Sequence, residues 1–95
     1  MSIYNKISHK DFSGKASLEV ISKDRNGLVG DITTQAAVLG ITILNHKAIT
    51  FTDEKSRSMS KLVMTVKTDE FTSLESLMHK INRVNGVISV LTSPV

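Results

Sequence analysis

The residues best able to do chemistry in this chain lie together in one short stretch, Asp24-Arg25-Asn26-Gly27, followed by Leu28-Val29-Gly30-Asp31-Ile32-Thr33. A carboxylate, a guanidinium, a carboxamide and a glycine sit between an alternating apolar run (Ala16, Leu18, Val20) and a helical pattern. At such a strand-to-helix junction the first amides of the helix have no intrahelical partner. They are a ready site for the carboxylate of a small ligand. Gly27 adds close backbone approach and an unusual dihedral. A plainer use is open as well: Asp24 or Asn26 caps the helix and Gly27 serves only the turn.

Little else in the chain points to a reaction. There is no cysteine, which removes disulfides and thiolate metal sites and fits a cytoplasmic protein. His9, His46 and His79 have no sequence neighbour at metal-ligand spacing, so surface or packing roles are expected, with no metal and no cofactor. Met64 and Met78 fall at core positions. The net charge is +3, and the 12 Lys and Arg residues are scattered from Lys6 to Arg83 without forming a run. Nucleic-acid binders concentrate such charge on one face or helix.

The elements that must position the stretch can be read from periodicity. Ninety-five residues suffice for one small core. No apolar run approaches the ~18 residues of a membrane span, and no N-terminal pattern suggests a signal peptide. Residues 1–14 carry few apolar positions and read as a linker or an extra strand, with the domain proper over 15–95. Lys15 to Lys23 alternates as a strand with one buried face. Val29, Ile32, Ala36 and Leu39 then recur at helical spacing, and Gly40 supplies the stop.

Ile41 to Phe51 reads as a long strand. Ile43 and Leu44 break its parity, which predicts a bulge or burial on both faces. A charged turn at Thr52 to Arg57 leads into a third strand around Leu62, Met64 and Val66. Thr72-Ser73-Leu74-Glu75 fits a capping box at the head of a second helix, whose stripe is Leu74, Leu77, Met78, Ile81 and Val84. Asn85-Gly86 ends that helix, and Val87 to Leu91 gives a last strand.

Strand, helix, strand, strand, helix, strand, joined by right-handed crossovers, is an α+β ferredoxin-like βαββαβ sandwich. Its four-stranded antiparallel sheet carries both helices on one face. The opposite face, including Ile21, Leu44 and Val63, is left uncovered and commonly seeks a partner.

Such a fold hosts many functions. Electron carriers and metal chaperones need cysteines that are absent here. RNA-recognition modules stack bases on strand aromatics, and Met59 to Val66 has none. Acylphosphatases use an Arg and an Asn, for which Arg25 and Asn26 are candidates. The surrounding Asp24-Arg25-Asn26-Gly27 does not match their loop, and Asp24 places negative charge where a phosphate would bind.

Three segments in order, Asp24-Arg25-Asn26-Gly27-Leu28-Val29-Gly30-Asp31-Ile32-Thr33, Leu39-Gly40-Ile41-Thr42-Ile43 and Val84-Asn85-Gly86-Val87-Ile88-Ser89-Val90, resemble the ACT family of amino-acid-sensing domains. Asn26, where many members have Pro, together with Gly-Asp-Ile-Thr, is most similar to the C-terminal ACT domain of RelA/SpoT-type (p)ppGpp synthetases, the GTP pyrophosphokinases. The resemblance implies a non-catalytic regulatory domain. Asp24, Arg25, Asn26, Gly27 and Leu28 would form the loop half of a ligand site, and Thr42 and Ile43 would lie on the opposing strand of a paired domain. It also implies a homodimer, an amino-acid ligand, and partners in the catalytic domains of a parent enzyme or the ribosome. A free-standing regulatory subunit of an amino-acid biosynthetic enzyme, such as acetohydroxy-acid synthase, is the other form the family takes.

Overall fold

The computed structural model describes residues 12–95 together with the two-residue strand Ile3–Tyr4. That strand, β1, runs parallel to Ser89 and Val90. The rest of the 1–14 segment, read above as linker or extra strand, lies outside the described residues apart from its last three.

Four further strands follow: β2 (Lys15–Lys23), β3 (Thr42–Thr52), β4 (Ser58–Lys67) and β5 (Val87–Pro94). Two helices, α1 (Leu28–Val38) and α2 (Phe71–Asn82), complete the βαββαβ order. The sheet order is β1-β5-β2-β4-β3, so β2 to β5 form the expected antiparallel four-stranded sheet and β1 adds a parallel edge.

The alternation in β2 is realised residue by residue. Ala16, Leu18, Val20 and Ser22 are buried beneath the helices, while Ser17, Glu19 and Ile21 face the other way. Leu62, Met64 and Val66 join them from β4, and Leu74, Leu77, Met78 and Ile81 close the core from α2. In α1 the buried residues are Leu28, Ile32 and Ala36, with Val29 and Leu39 half-buried at the margin. Burying a leucine-sized side chain contributes about 1.5–3 kcal/mol, so this stripe is the main force holding the helices to the sheet.

Both helix ends test the sequence reading. At the end of α1, Gly40 has φ 70°, its amide bonds Ala37 O at 3.0 Å, and the Ile41 amide bonds Ala36 O at 2.9 Å. This pair of bonds is a Schellman stop, for which a left-handed glycine is the favoured residue. The start of α2 differs from expectation. The helix begins at Phe71 with Glu70 as N-cap and no side-chain cap bond, so Thr72 lies inside the first turn and the capping box is not formed. Phe71 packs edge-to-face on Phe12 with ring centroids 5.6 Å apart, and both rings rest on the core. That packing draws the helix start forward, and the Thr68 hydroxyl accepts the Glu70 amide at 3.3 Å instead.

The bulge in β3 is present, with the register shifting between Ile43 and Asn45 around Leu44. The charged turn closes through Asp53, whose carboxylate accepts the amides of Lys55 and Arg57 and the Arg57 guanidinium. The last strand runs three residues beyond Leu91, to Pro94. On the uncovered face Ile49, Phe51, Val63 and Leu91 are exposed, and a Lys61–Glu19 ion pair of 3.3 Å crosses between them.

Candidate functional site

The loop from Asp24 to Gly27 is held at both ends by backbone bonds. The Asp24 amide donates to Ser58 O at 3.1 Å, anchoring it to the start of β4, and the Lys23 amide donates to Gly86 O at 2.9 Å. Gly27 is the N-cap of α1 at φ 80° and ψ 1°, a left-handed conformation that side chains other than glycine adopt at a cost. The first i to i−4 bond of the helix runs from the Asp31 amide to Gly27 O at 2.8 Å. The amides of Val29 and Gly30 precede it, and no side chain caps them.

Neither Asp24 nor Asn26 caps the helix with its side chain. The Asp24 carboxylate accepts the Ser58 hydroxyl at 3.3 Å instead. A concavity of about 350 Å³ opens at this helix start, lined by Asp24 through Gly30 on one side and by Ala48, Thr50 and Ser60 on the other. The five loop residues singled out in the sequence thus come together around one space. Three strand residues that no motif marked complete it. Their placement follows from the sheet register, in which Thr50 lies opposite Ser60 and Ala48 opposite Leu62.

Thr42 and Ile43 lie elsewhere in the chain. Thr42 lines a separate cleft with Leu39, Gly40, Lys67 and Ser73, and Ile43 is half-buried against the core. One chain does not bring them to the loop.

Arg25 turns its guanidinium away from the strands. Its Nε donates to Asn85 O at 2.8 Å, Nη1 to Asn26 O at 3.0 Å and Nη2 to the Asp31 carboxylate at 2.6 Å. In this position it ties the first loop to the α2–β5 connection and lines a second cleft, about 440 Å³, with Gln35, Lys80 and Arg83. His46 and His79 are exposed, and among the described residues no three His, Cys, Asp or Glu side chains gather to hold a metal ion. Among the same residues no helix is long and apolar enough to cross a membrane.

Comparison with known proteins bears directly on this arrangement. The ACT domain family model matches residues 13–91. No curated protein sequence matches the chain significantly. Among solved structures, the ACT domain of the GTP pyrophosphokinase of Chlorobium tepidum superposes with a TM-score of 0.64 at 19% identity, over 83% of this chain and 96% of that one. A protein of unknown function from Galdieria sulphuraria gives 0.72 at 19% identity, over 96% of this chain and 54% of that one. The regulatory subunit of aspartate kinase from Thermus thermophilus gives 0.55 at 23% identity, over 85% of this chain and 51% of that one. The chain therefore spans nearly all of the first structure but only about half of the other two. At these identities the likenesses establish the shared fold, and the family match extends from the last residues before β2 into β5. The chain belongs to the ACT domain family, whose members are regulatory domains.

Proposed function

We propose that this chain is a non-catalytic regulatory domain of a GTP pyrophosphokinase, the (p)ppGpp synthetase/hydrolase, in which it senses a small amino acid for the stringent response. The observation that carries the reading is the uncapped start of α1 opening into a concavity with the exposed Asp24 among its lining residues. The amides of Val29 and Gly30 suit an α-carboxylate, and the Asp24 carboxylate suits the ammonium. An amino acid is the small ligand that carries both groups.

The signal is a shift between two conformations of the parent enzyme, one of which binds the ligand more tightly. The domain acts as a homodimer in the cytoplasm, with its apolar sheet face, which includes Val63, Phe51 and Leu91, as a pairing surface. In that pair Thr42 and Ile43 of one copy stand opposite the loop of the other. The catalytic domains of the parent read the state, with the ribosome as a further contact. A second reading, a separate regulatory subunit of an amino-acid biosynthetic enzyme such as acetohydroxy-acid synthase, is favoured by the likeness to the aspartate kinase regulatory subunit.

Amide chemical shifts of the chain, recorded while valine, isoleucine, leucine and serine are titrated, test the sensing. Saturable shifts at Asp24 to Leu28 and at Thr42 are expected. No shift at millimolar amino acid would make this a docking module that relays its signal through protein or ribosome contacts. Light scattering at high micromolar concentration tests the pairing, and a monomer there refutes it.

A further inference from the structure

Resting on the sensing role above, we propose that the concavity selects its ligand through the Ser60 hydroxyl, in favour of an amino acid with a hydrogen-bonding side chain. Ser60 is only 4% exposed, yet it lines the concavity. In the sheet register Thr50, Ser60 and Ser22 sit side by side on the helix-bearing face of β3, β4 and β2. The fully buried Ser22 satisfies its hydroxyl on Lys23 O at 2.9 Å. No partner is found for the Ser60 hydroxyl among the described residues, and its oxygen opens to the concavity rather than being sealed in the core.

A hydroxyl that opens to such a space without a protein partner is satisfied there by water or by a ligand. The geometry provides the ligand's orientation. An amino acid whose carboxylate meets the α1 amides on the loop side projects its side chain across the concavity toward Ala48, Thr50 and Ser60. A hydrocarbon side chain there would displace water and leave Ser60 unpaired, whereas a hydroxyl or carboxamide replaces the lost bond. Ala48 keeps this wall shallow, and about 350 Å³ accommodates a small amino acid.

Calorimetric titration of the full chain with alanine, serine, threonine, asparagine, valine and leucine tests the assignment. Serine, threonine or asparagine should bind about fivefold or more tightly than valine, the value of one hydrogen bond. Ser60→Ala should shrink that ratio by roughly three- to tenfold. Ala48→Leu, at an exposed position that tolerates the added bulk, should abolish binding of every amino acid. Tighter binding of valine or leucine, or a ratio untouched by Ser60→Ala, overturns the selection and leaves the sensing role intact. Binding that survives Ala48→Leu places the ligand outside this concavity and overturns the proposal. Binding of no amino acid at all refutes the sensing role and the selection together.

Discussion

Two glycines three residues apart in the first loop and helix should respond to the same substitution with opposite signs. Gly30 lies inside α1 with no positive φ, and a Cβ added there meets nothing within 4 Å. Replacing it by alanine removes the backbone entropy penalty of a helical glycine. The gain is about 0.5 kcal/mol, at the low end because the position is in the first turn. Gly27 has φ +80°, and an added Cβ would lie 3.9 Å from Arg25 Nη1, an ordinary contact. The cost of Gly27→Ala is therefore conformational, ~1–2 kcal/mol for a left-handed residue, partly offset by the stiffer unfolded chain.

The two variants should differ by about 1.5 kcal/mol, or roughly 6–12 °C in midpoint for a domain of this size. Urea unfolding followed by circular dichroism measures both, at one protein concentration because association would shift the midpoint. The slope with urea should not change. If both substitutions move stability the same way, the account of this junction is wrong. If Gly27→Ala is neutral, the loop does not enter the helix through a left-handed residue.

Gly86→Ala should destabilise by about 2 kcal/mol and more than Gly27→Ala in the same assay, because strain and contact add. Its φ is +95° and its Cβ would meet Ser22 Oγ at 3.4 Å and Lys23 Cβ at 3.7 Å. Leu77→Ala removes a fully buried side chain of α2 and should cost about 3 kcal/mol, a large share of the stability of so small a domain, measured as a lower urea midpoint. The hairpin turn should loosen in acid. The Arg57 amide, opposed by desolvation and aided by the Arg57 guanidinium and the Lys55 amide, holds the Asp53 carboxyl below its usual range. A lowered folded value means that its contribution is complete above the ordinary carboxylate pKa of about 4 and is lost as pH falls through the folded value. Protection of the Lys55 and Arg57 amides, relative to their intrinsic exchange, should fall over that window, and Asp53→Asn should flatten the dependence.

The fold was legible because each element carries its own local signal. The alternation of Ala16, Leu18 and Val20 and the stripe of Leu74, Leu77, Met78 and Ile81 are periodicities that only one burial pattern satisfies. The α1 stop at Gly40 and the bulge at Leu44 were readable for the same reason. The start of α2 was not, because the Thr72–Glu75 motif is local whereas Phe71 answers to Phe12, which is distant in sequence. A capping pattern is a weak preference that a half-buried aromatic contact overrides.

The candidate site divides along the same line. From Asp24 to Gly30 the sequence by itself determined a polar, glycine-bearing strand-to-helix junction, since residue types and spacing there dictate free amides next to a carboxylate. The tertiary structure alone decided which groups face those amides. Ala48, Thr50 and Ser60 belong to two strands whose register is set by pairing across the sheet, and nothing in their local sequence separates them from any other strand residues. Arg25 shows the same limit. Its charge was visible in the chain, but its direction was settled by Asn85 O, sixty residues away, and by Asp31 one turn into α1. Backbone periodicity is a local property that one strand or helix expresses unaided. The direction of a side chain depends on partners that only the folded chain brings within reach.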